Sequence, residues 1–336
     1  MNTPIVRFAN ADDASTMTRY AHAVHIVCAV YNGAQFLPEF LKSVQTQSVT
    51  NWLLWIRDDT STDLSVTVIR GASATDERVR LLEASGDQLG PAGAFSWLLE
   101  RVPENAPYIM FADQDDVWLP NKIEYTLSAM NLAEQSELAV MVHTDMTVVD
   151  QHLKEIDPSF WHFAHIDPQY TKLEHLAVQN VATGATVMIN RALRERVGRI
   201  PSAAAMHDWW IALVASAFGH ILAISTPTML YRQHAANAIG ATKPASALSL
   251  TEVPSRITGA FARVGKVRAD ISKAARQAGA FAERYGSQLS EEQRRFLTDY
   301  ARIPTQGFFR RKIEIARLHL RADKGFLWNA GLLLRA

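Results

Sequence analysis

The 336-residue sequence predicts an α/β fold built on a parallel sheet. Short apolar segments alternate with longer segments of helical periodicity, which is the pattern of strand–helix–strand units. Polar clusters follow directly after several of the apolar segments. In a parallel sheet these carboxyl ends lie at one edge, where ligands bind. Hydrophobic residues make up 48% and charged residues 20% of the chain, as is typical of a globular protein.

In the N-terminal part, the predicted elements alternate between strand and helix. The strands are residues 25–33, 52–56, 79–82 and 107–112. The intervening helices are residues 34–47, a segment that begins near Asp63, and residues 93–101. Ser61 or Thr62 is expected to cap the second of these helices, since either hydroxyl can accept a backbone N–H.

The middle of the chain continues the pattern with strands at residues 139–143, 185–190 and 221–224 and a strong helix at residues 208–218. Three strand ends of the N-terminal part are polar: Tyr31-Asn32-Gly33, Asp58-Asp59 and Asp113-Gln114-Asp115-Asp116. Because these ends converge at one edge of a parallel sheet, they predict a binding or catalytic site.

The net charge of zero conceals an uneven distribution of charge along the chain. Residues 1–252 carry 17 Lys and Arg against 27 Asp and Glu, whereas residues 253–336 carry 17 against 7. Pro244 and Pro254 bracket a predicted linker before the basic part. We therefore predict a lead-in at residues 1–21, an α/β domain at residues 22–240 and a helical, basic region at residues 241–336.

Several sequence features favour a cytoplasmic location. Cys28 is the single cysteine, so no intrachain disulfide can form, and its apolar surroundings predict a buried, inert thiol. Residues 1–21 lack the apolar core of a secretion signal. No stretch reaches the roughly 18 apolar residues that a membrane span requires.

Three carboxylates, those of Asp113, Asp115 and Asp116, follow one apolar strand within four residues. Like charges this close raise each other's pKa unless a cation joins them. Mg²⁺ typically takes one or two carboxylates and completes its shell with phosphate oxygens and water. The segment therefore favours a divalent cation, and the alternative is an acidic turn before the helix that starts near Pro120.

Asp58 and Asp59 form a second acidic strand end. Such a pair can accept hydrogen bonds from the imide of a nucleobase or from a ribose hydroxyl. The alternative is that the pair caps the following helix and complements its dipole.

These motifs, in this order and spacing, resemble those of the family 2 glycosyltransferases of GT-A fold. The motifs are Ala29-Val-Tyr-Asn-Gly33, Arg57-Asp-Asp-Thr-Ser-Thr-Asp63 and Asp113-Gln-Asp-Asp-Val-Trp118. The last of them resembles more narrowly the rhamnosyltransferase-like branch that builds bacterial surface polysaccharides such as O-antigens. So do Thr183-Gly-Ala-Thr186, Met206-His-Asp-Trp-Trp210 and Tyr231-Arg-Gln-His234. The resemblance spans about residues 24–240.

The resemblance implies a role for each matching residue. Asp208 is the expected catalytic base, and Asp115 and His234 are expected to hold Mg²⁺ or Mn²⁺. The nucleotide-sugar donor is expected to contact Val30, Asn32, Asp58, Asp59, Gly90, Asp113, Gln114 and Arg232. The acceptor is expected to contact Asp116, Trp118, Gly184, His207 and Trp209. The alternative for Asp208 is a helix cap, and Trp210 is expected in the core.

Two positions depart from the family pattern. Thr60 stands where relatives usually have Gly, which predicts a stiffer turn after Asp59. Ala94 stands where relatives often have Asn, so a donor contact from that side chain is not expected here.

The resemblance implies an inverting, metal-dependent transfer of a hexose to a hydroxyl of a lipid-linked saccharide in O-antigen or other surface polysaccharide synthesis. L-Rhamnose from dTDP-L-rhamnose is the favoured donor, and a UDP-hexose is the alternative. A non-catalytic nucleotide-sugar-binding or scaffolding subunit is the alternative of another class. No motif or charge pattern indicates nucleic acid as a partner.

The basic C-terminal region has two interpretations. Residues 309–336 interleave basic residues with an aromatic-rich apolar set, which suits a helix on the anionic inner face of the plasma membrane. The alternative is packing of these helices on the catalytic domain or on a second subunit of a homo-oligomer.

Overall fold

A computed structural model describes residues 22–83, 86–134, 138–234 and 253–318 of the chain. Within them, one sheet contains the strands β1 (Val24–Val30), β2 (Trp52–Asp58), β3 (Val79–Leu82), β4 (Tyr108–Asp113), β5 (Val117–Trp118), β6 (Ala139–Asp150), β7 (Glu155–Asp157), β8 (Val187–Asn190) and β9 (Gly219–Gln233). The strand order is β3-β2-β1-β4-β8-β6-β9-β5, and β7 pairs with β6. Every predicted strand is present.

The helices of the α/β domain cover both faces of this sheet. They are α1 (Leu37–Gln45), α2 (Ser65–Thr75), α3 (Gly90–Leu99), α4 (Lys122–Ala133), α5 (Phe160–Ala164), α6 (Leu173–Leu176), α7 (Arg191–Val197) and α8 (His207–Phe218). The C-terminal region contributes α9 (Val253–Tyr285), α10 (Glu291–Arg302) and α11 (Phe308–Arg317). The arrangement confirms the predicted α/β class with a helical C-terminal region.

Successive residues of β1 alternate between two cores, one on each face of the sheet. Val27 packs into the core that includes Trp210 of α8, while Ile26 and Cys28 pack into the core that includes Phe40 of α1. This alternation follows from the two-residue period of a strand. Burial on both faces explains why the strand sequences are almost continuously apolar. The buried position predicted for Cys28 is confirmed.

The sheet is mixed, so the fully parallel arrangement predicted from the sequence is correct only in part. β3, β2, β1 and β4 run parallel, and β8 runs antiparallel to both β4 and β6. The short 3₁₀ turn Gly184–Thr186 contacts β4 and leads directly into β8. β8 therefore starts at the edge where β4 ends, which reverses its direction. Alternation of strands and helices alone does not encode this reversal.

The predicted capping residues of α2 were also wrong. α2 begins at Ser65, and the backbone N–H of Ser65 donates to Oδ1 of Asp63 at 2.9 Å. Ser61 instead accepts a hydrogen bond from the backbone N–H of Asn32 at 2.9 Å. The turn after β1 thus takes the hydroxyl that was expected to serve the helix.

The C-terminal helices pack on the α/β domain. The ring centroids of Phe281 in α9 and Trp210 in α8 lie 5.4 Å apart, and Trp210 is fully buried, which confirms its predicted core position. Ser290 and Gln293 form a capping box at the start of α10. The predicted lead-in at residues 1–21, the boundary at residue 240 and the basic residues beyond 318 lie outside the described residues. Within the described part, no helix combines the length and apolarity needed to cross a bilayer.

Gly219 lies where β9 pairs with the first residue of β6. A Cβ at Gly219 would lie 1.8 Å from the carbonyl oxygen of Ala139, so Gly219→Ala forces a backbone displacement. We expect it to lower the free energy of unfolding by about 2 kcal/mol or more, measured by urea denaturation. Gly71 in α2 is the matched control, because a Cβ there meets nothing within 4 Å. Gly71→Ala should instead stabilise by about 0.5–1 kcal/mol, and similar effects of the two substitutions would contradict this packing.

Candidate active site

The register of the three central strands brings their polar ends together. Val30 of β1 pairs with Asp58 of β2, and Ala29 pairs with Asp113 of β4. The ends of β2 and β4 therefore flank the end of β1 on its two sides. This is the convergence of polar groups at one sheet edge that the sequence predicts.

The two carboxylates at the end of β2 have different environments. Asp59 is buried and accepts hydrogen bonds from the backbone N–H groups of Leu89 at 2.9 Å and Gly90 at 2.8 Å. Its Oδ1 also lies 3.2 Å from Nη2 of Arg57. Asp58 accepts from the backbone N–H of Ser61 at 3.0 Å through Oδ2, while its Oδ1 is buried with no hydrogen-bond partner among the described residues. Asp59 thus holds the loop before α3, and Asp58 retains an acceptor for a ligand.

Two residues beside these carboxylates adopt left-handed backbone conformations. Thr60 has a φ of 69° and Asn32 has a φ of 48°. Asn32 suits this region and accepts from the backbone N–H of Thr62 at 2.8 Å. For a β-branched threonine this region is strained, whereas a glycine would adopt it without steric cost.

Gln114 supports the loop after β1. Its Nε2 donates to the carbonyl oxygen of Tyr31, and its Oε1 accepts from the backbone N–H of the same residue, both at 2.9 Å. Gly33 passes beneath this amide so closely that a Cβ there would lie 2.2 Å from Oε1. Both polar atoms of Gln114 are therefore engaged by the backbone. A contact with the donor, as predicted, would compete with these bonds.

The acidic segment after β4 concentrates negative charge in a confined volume. Burial and the nearby carboxylates of Asp115 and Asp208 raise the pKa of Asp113 to about 7. Asp116 is fully buried, and burial with repulsion from Asp115 and Asp113 raises its pKa well above the usual range. Its Oδ1 accepts from the backbone N–H of Arg232 at 3.1 Å, and its Oδ2 has no partner among the described residues. This arrangement favours uptake of a cation or of protons.

Lys122 is a buried amine beside these carboxylates that sequence reasoning missed. Its Nζ donates to Oγ1 of Thr228 at 3.2 Å, and burial lowers its pKa to about 7, opposed by attraction to Asp116. The sequence offers a weak signal only, since a lysine in the first turn of a helix is ordinarily exposed.

The predicted metal ligands Asp115 and His234 are neighbours in the structure. Oδ2 of Asp115 lies 2.8 Å from Nε2 of His234. Two adjacent ligands of an octahedral ion with bonds of about 2.1 Å lie about 3 Å apart, so the pair fits a single ion. The described part of the chain contains no group of three or more His, Cys, Asp or Glu residues able to hold a metal. An ion here would complete its shell with diphosphate oxygens and water, as Mg²⁺ commonly does.

Arg232 is anchored by several groups at the end of β9. The buried guanidinium donates to the carbonyl oxygens of Asp115 and Gln151, both at 2.8 Å, and to Oε2 of Glu39. It also lies 4.7 Å from the ring centroid of Phe36, whose ring is 4.6 Å from that of His234. The guanidinium predicted to contact the donor thus braces the segment that carries His234. Sequence reasoning missed Phe36 and Glu39, since an acidic first turn usually reflects the helix dipole.

Asp208 lies in the first turn of α8, 9% exposed. Its Oδ2 accepts from the backbone N–H of Gly184 at 2.9 Å, and its Oδ1 accepts from the backbone N–H of Trp209 at 2.6 Å. Burial raises the pKa of Asp208 to about 6, although these hydrogen bonds oppose the shift. A carboxylate with a pKa near neutrality is a stronger base than an exposed one and is still ionised at pH 7.

His207 occupies the space above Gly184. Its ring centroid lies 3.9 Å from that of Phe95, and burial lowers its pKa to about 3, so the ring is neutral. Neither ring nitrogen has a hydrogen-bond partner among the described residues. A Cβ at Gly184 would lie 2.8 Å from Nε2 of His207, so glycine permits this close approach.

The two tryptophans predicted to contact the acceptor both make contacts within the protein. Trp118 is 2% exposed and packs edge-on against Phe40 at 6.5 Å, so we assign it to the core instead. Trp209 is half-buried, and its indole N–H donates to the carbonyl oxygen of Leu176. Stacking of Trp209 on a sugar stays a prediction.

The model of the family described as Glycosyl transferase family 2 matches residues 25–197. The chain belongs to this glycosyltransferase family. Among curated proteins, it is 27% identical to the dTDP-rhamnosyl transferase RfbG of Shigella flexneri over 224 residues, 63% of this chain and 73% of the relative.

Solved glycosyltransferase structures share the fold. The mannosyltransferase PcManGT of Pyrobaculum calidifontis, solved with GDP-Man and Mn²⁺, superposes with a TM-score of 0.52 at 16% identity, covering 93% of this chain and 78% of that one. S. aureus TarS 1-349, solved with UDP-GlcNAc, gives a TM-score of 0.51 at 11% identity, covering 89% of this chain and 92% of that one. These likenesses establish the GT-A fold and extend into the C-terminal helices.

The raised pKa of Asp113 predicts a stability that depends on pH. The folded state binds this proton more tightly than the unfolded chain, whose carboxyl has a pKa near 3.8, so stability falls as pH rises from about 4 to about 7. Asp113→Asn removes the charge. In urea denaturation with EDTA present, we expect it to stabilise on the order of 1–2 kcal/mol at pH 8 and little at pH 4. Asp87→Asn, at an exposed position, is the control for the loss of a carboxylate outside the site. An equal effect of Asp113→Asn at both pH values would contradict the assignment.

Proposed function

We propose that the protein is an inverting, metal-dependent hexosyltransferase of bacterial surface-polysaccharide synthesis. The observation that carries the proposal is the grouping of Asp58, Asp113, Asp115 and Asp208 at one sheet edge within a family 2 glycosyltransferase fold. Asp58 offers an acceptor to the nucleobase, and Asp208 offers a base of raised pKa. A binding or scaffolding subunit would have no need for that base.

In the proposed reaction, the carboxylate of Asp208 takes the proton from an acceptor hydroxyl. The hydroxyl oxygen forms a bond to the anomeric carbon from the face opposite the donor diphosphate, and the bond from that carbon to the diphosphate oxygen breaks. Inversion at the anomeric carbon follows from this single displacement. The N–H groups of Gly184 and Trp209 hold the carboxylate in place during proton transfer.

Asp115 and His234 would hold Mg²⁺ or Mn²⁺. Such an ion supplies stabilisation of the negative charge that develops on the leaving diphosphate. The brace of Arg232, Phe36 and Glu39 keeps His234 beside Asp115. The Mn²⁺ in the structure of PcManGT supports a divalent cation for this fold.

We favour dTDP-L-rhamnose as the donor, on the likeness to RfbG and on the sequence motifs of the rhamnosyltransferase-like branch. A UDP-hexose is the second candidate, favoured by the UDP-GlcNAc complex of TarS. Thymine and uracil both present an imide N–H to an acceptor such as Oδ1 of Asp58. The acceptor would be a hydroxyl of a lipid-linked saccharide.

The donor and metal assignments are tested together by the shift of melting temperature with dTDP, UDP, GDP and CMP, each with and without Mn²⁺. A ligand at 100 times its Kd adds about 2.7 kcal/mol to stability, which is readily measured. In the wild type, we expect the largest metal-dependent shift of melting temperature with dTDP. In Asp115→Asn, the shift with nucleotide should be the same with and without Mn²⁺. Asp208→Asn should keep the full shift yet lose at least a hundredfold in kcat, because it removes the base alone.

Each outcome of this panel has a distinct meaning. A larger shift of melting temperature with UDP than with dTDP would change the assigned donor to a UDP-sugar and leave the proposed transferase activity in place. Retention of transfer by Asp208→Asn would refute the assigned base. A shift with nucleotide but no transfer by the wild type from any donor tested would favour the binding subunit.

We further propose that α11 places the protein on an anionic bilayer surface. Phe309 is 81% exposed and Ile313 is 64% exposed, one helical turn apart. Arg310 and Lys312 flank these two residues on the helical wheel, an arrangement typical of interfacial helices. A lipid-linked acceptor would make this location useful.

Binding to the membrane surface is testable by sedimentation with vesicles. We expect binding to phosphatidylglycerol vesicles that weakens with salt and is reduced at least tenfold by the pair Phe309→Ser and Ile313→Ser. Leu132→Ser is the matched control, because Leu132 is 89% exposed on a different helix, α4, and should not alter binding. Equal loss in the control, or equal binding to neutral vesicles, would refute the proposal.

A further inference from the structure

The long helix α9 packs on the helix that carries Asp208. Its apolar residues Ala274, Ala278 and Phe281 are buried in the same core as Trp210 of α8. At the C-terminal end of α9, the hydroxyl of Tyr285 donates to the carbonyl oxygen of Arg196 at 2.8 Å, and Arg284 donates to the carbonyl oxygen of Val197 at 2.9 Å. These bonds join α9 to the end of α7.

A loop of residues 198–206 connects α7 to α8. Near its start, the backbone N–H of Ile200 donates to Oγ of Ser96 at 3.2 Å. Near its end, the backbone N–H of Ala205 donates to Oε1 of Gln277 in α9 at 2.9 Å. Ala205 lies three residues before Asp208. The bond from Ala205 to Gln277 is therefore close to the first turn of α8, which carries Asp208.

The start of α8 lacks the usual means of fixing a helix terminus. The N-cap residue is Met206, which has no side-chain hydrogen bond to the first turn. A Ser, Thr, Asn or Asp at this position would fix the first turn locally. Here the backbone just before the helix is held by a side chain from α9 instead.

Burial of the Gln277 side chain carries a free-energy cost that packing alone does not explain. The side chain is fully buried, and its Nε2 has no hydrogen-bond partner among the described residues. An unsatisfied buried amide N–H destabilises the folded state, and an apolar side chain of similar volume would avoid this. The Oε1 oxygen of Gln277 does have a partner, because it accepts the backbone N–H of Ala205 in the loop that leads into Asp208.

We infer that Gln277 is a positioning residue for the catalytic base, so that the C-terminal helical region completes the active site. The inference rests on the proposed function of Asp208. Gln277 touches neither donor nor acceptor in this scheme. It fixes Ala205, and through Ala205 the first turn of α8, while the donor contacts at the ends of β1, β2 and β4 are unaffected.

The test compares three variants of the full-length chain. Gln277→Met keeps the side-chain volume and removes the acceptor for Ala205. Gln277→Glu keeps an acceptor oxygen for Ala205 and replaces the unpartnered amide N–H by a second carboxyl oxygen. Tyr285→Phe removes one hydrogen bond between α9 and the α/β domain at the far end of the loop and is the matched control.

We expect Gln277→Met to lower kcat about tenfold, because small misplacement of a base is costly. The KM for the donor and the nucleotide-dependent shift of melting temperature should stay within twofold of wild type. Gln277→Glu should recover most of kcat, and Tyr285→Phe should retain it. Hydrogen–deuterium exchange of residues 203–209 should accelerate in Gln277→Met alone.

Three results would overturn the inference: wild-type kcat in Gln277→Met, an equal loss in Tyr285→Phe, or a tenfold loss in folded Gln277→Glu. The result for Gln277→Glu tests the inference even if Gln277→Met does not fold. Failure of the proposed function is distinguishable, because the wild type itself would then transfer no sugar. Failure of the present inference appears only in the variants of an active wild type.

Discussion

Electrostatic repulsion among the carboxylates at the carboxyl edge of the sheet is the constraint on which the site depends. Asp113, Asp115, Asp116 and Asp208 converge there, and the pKa values of Asp113, Asp116 and Asp208 are raised by burial, with mutual repulsion adding to the shift for Asp113 and Asp116. Buried charge of one sign is unfavourable unless it is neutralised. Three groups offset part of this negative charge: the side chain of Lys122, the backbone N–H of Arg232 and the imidazole of His234. These groups compensate in part, and the negative charge that remains favours a cation at this edge.

The polar groups of this edge divide into those that hold it together and those that remain available. Asp59, Gln114 and Arg232 direct their polar atoms to backbone or side-chain partners. A ligand would have to break these bonds, and each broken bond to a buried group costs about 1–3 kcal/mol. Oδ1 of Asp58 lacks such a partner within the described residues, whereas the unpartnered Oδ2 of Asp116 belongs to a fully buried side chain. A family motif thus contains both supporting residues and residues suited to ligand binding, and only their contacts separate the two.

The C-terminal helices are integrated with the α/β domain. Phe281 and Tyr285 pack on Trp210, and Gln277 holds the backbone before Asp208. Such contacts couple the stability of α9 to the geometry of the loop before α8. The exposed apolar face of α11 lies at the other end of this helical region. One region therefore combines packing on α8 with a basic surface.

The sequence by itself determined the strands, the main helices, the buried Cys28 and Trp210, and the polar ends of β1, β2 and β4. These features follow from local periodicity and from the rule that parallel strands end at one edge. Only the tertiary structure decided the reversed direction of β8 and the burial of Trp118. It also decided that Asp59 binds the loop before α3 while Asp58 keeps an unpartnered oxygen. The bond between Glu39 and Arg232, which lie 193 positions apart, likewise depends on the tertiary structure. The reason is physical: a hydrogen bond or an ion pair depends on which distant segments meet. Residue type and spacing specify only which groups are able to form one.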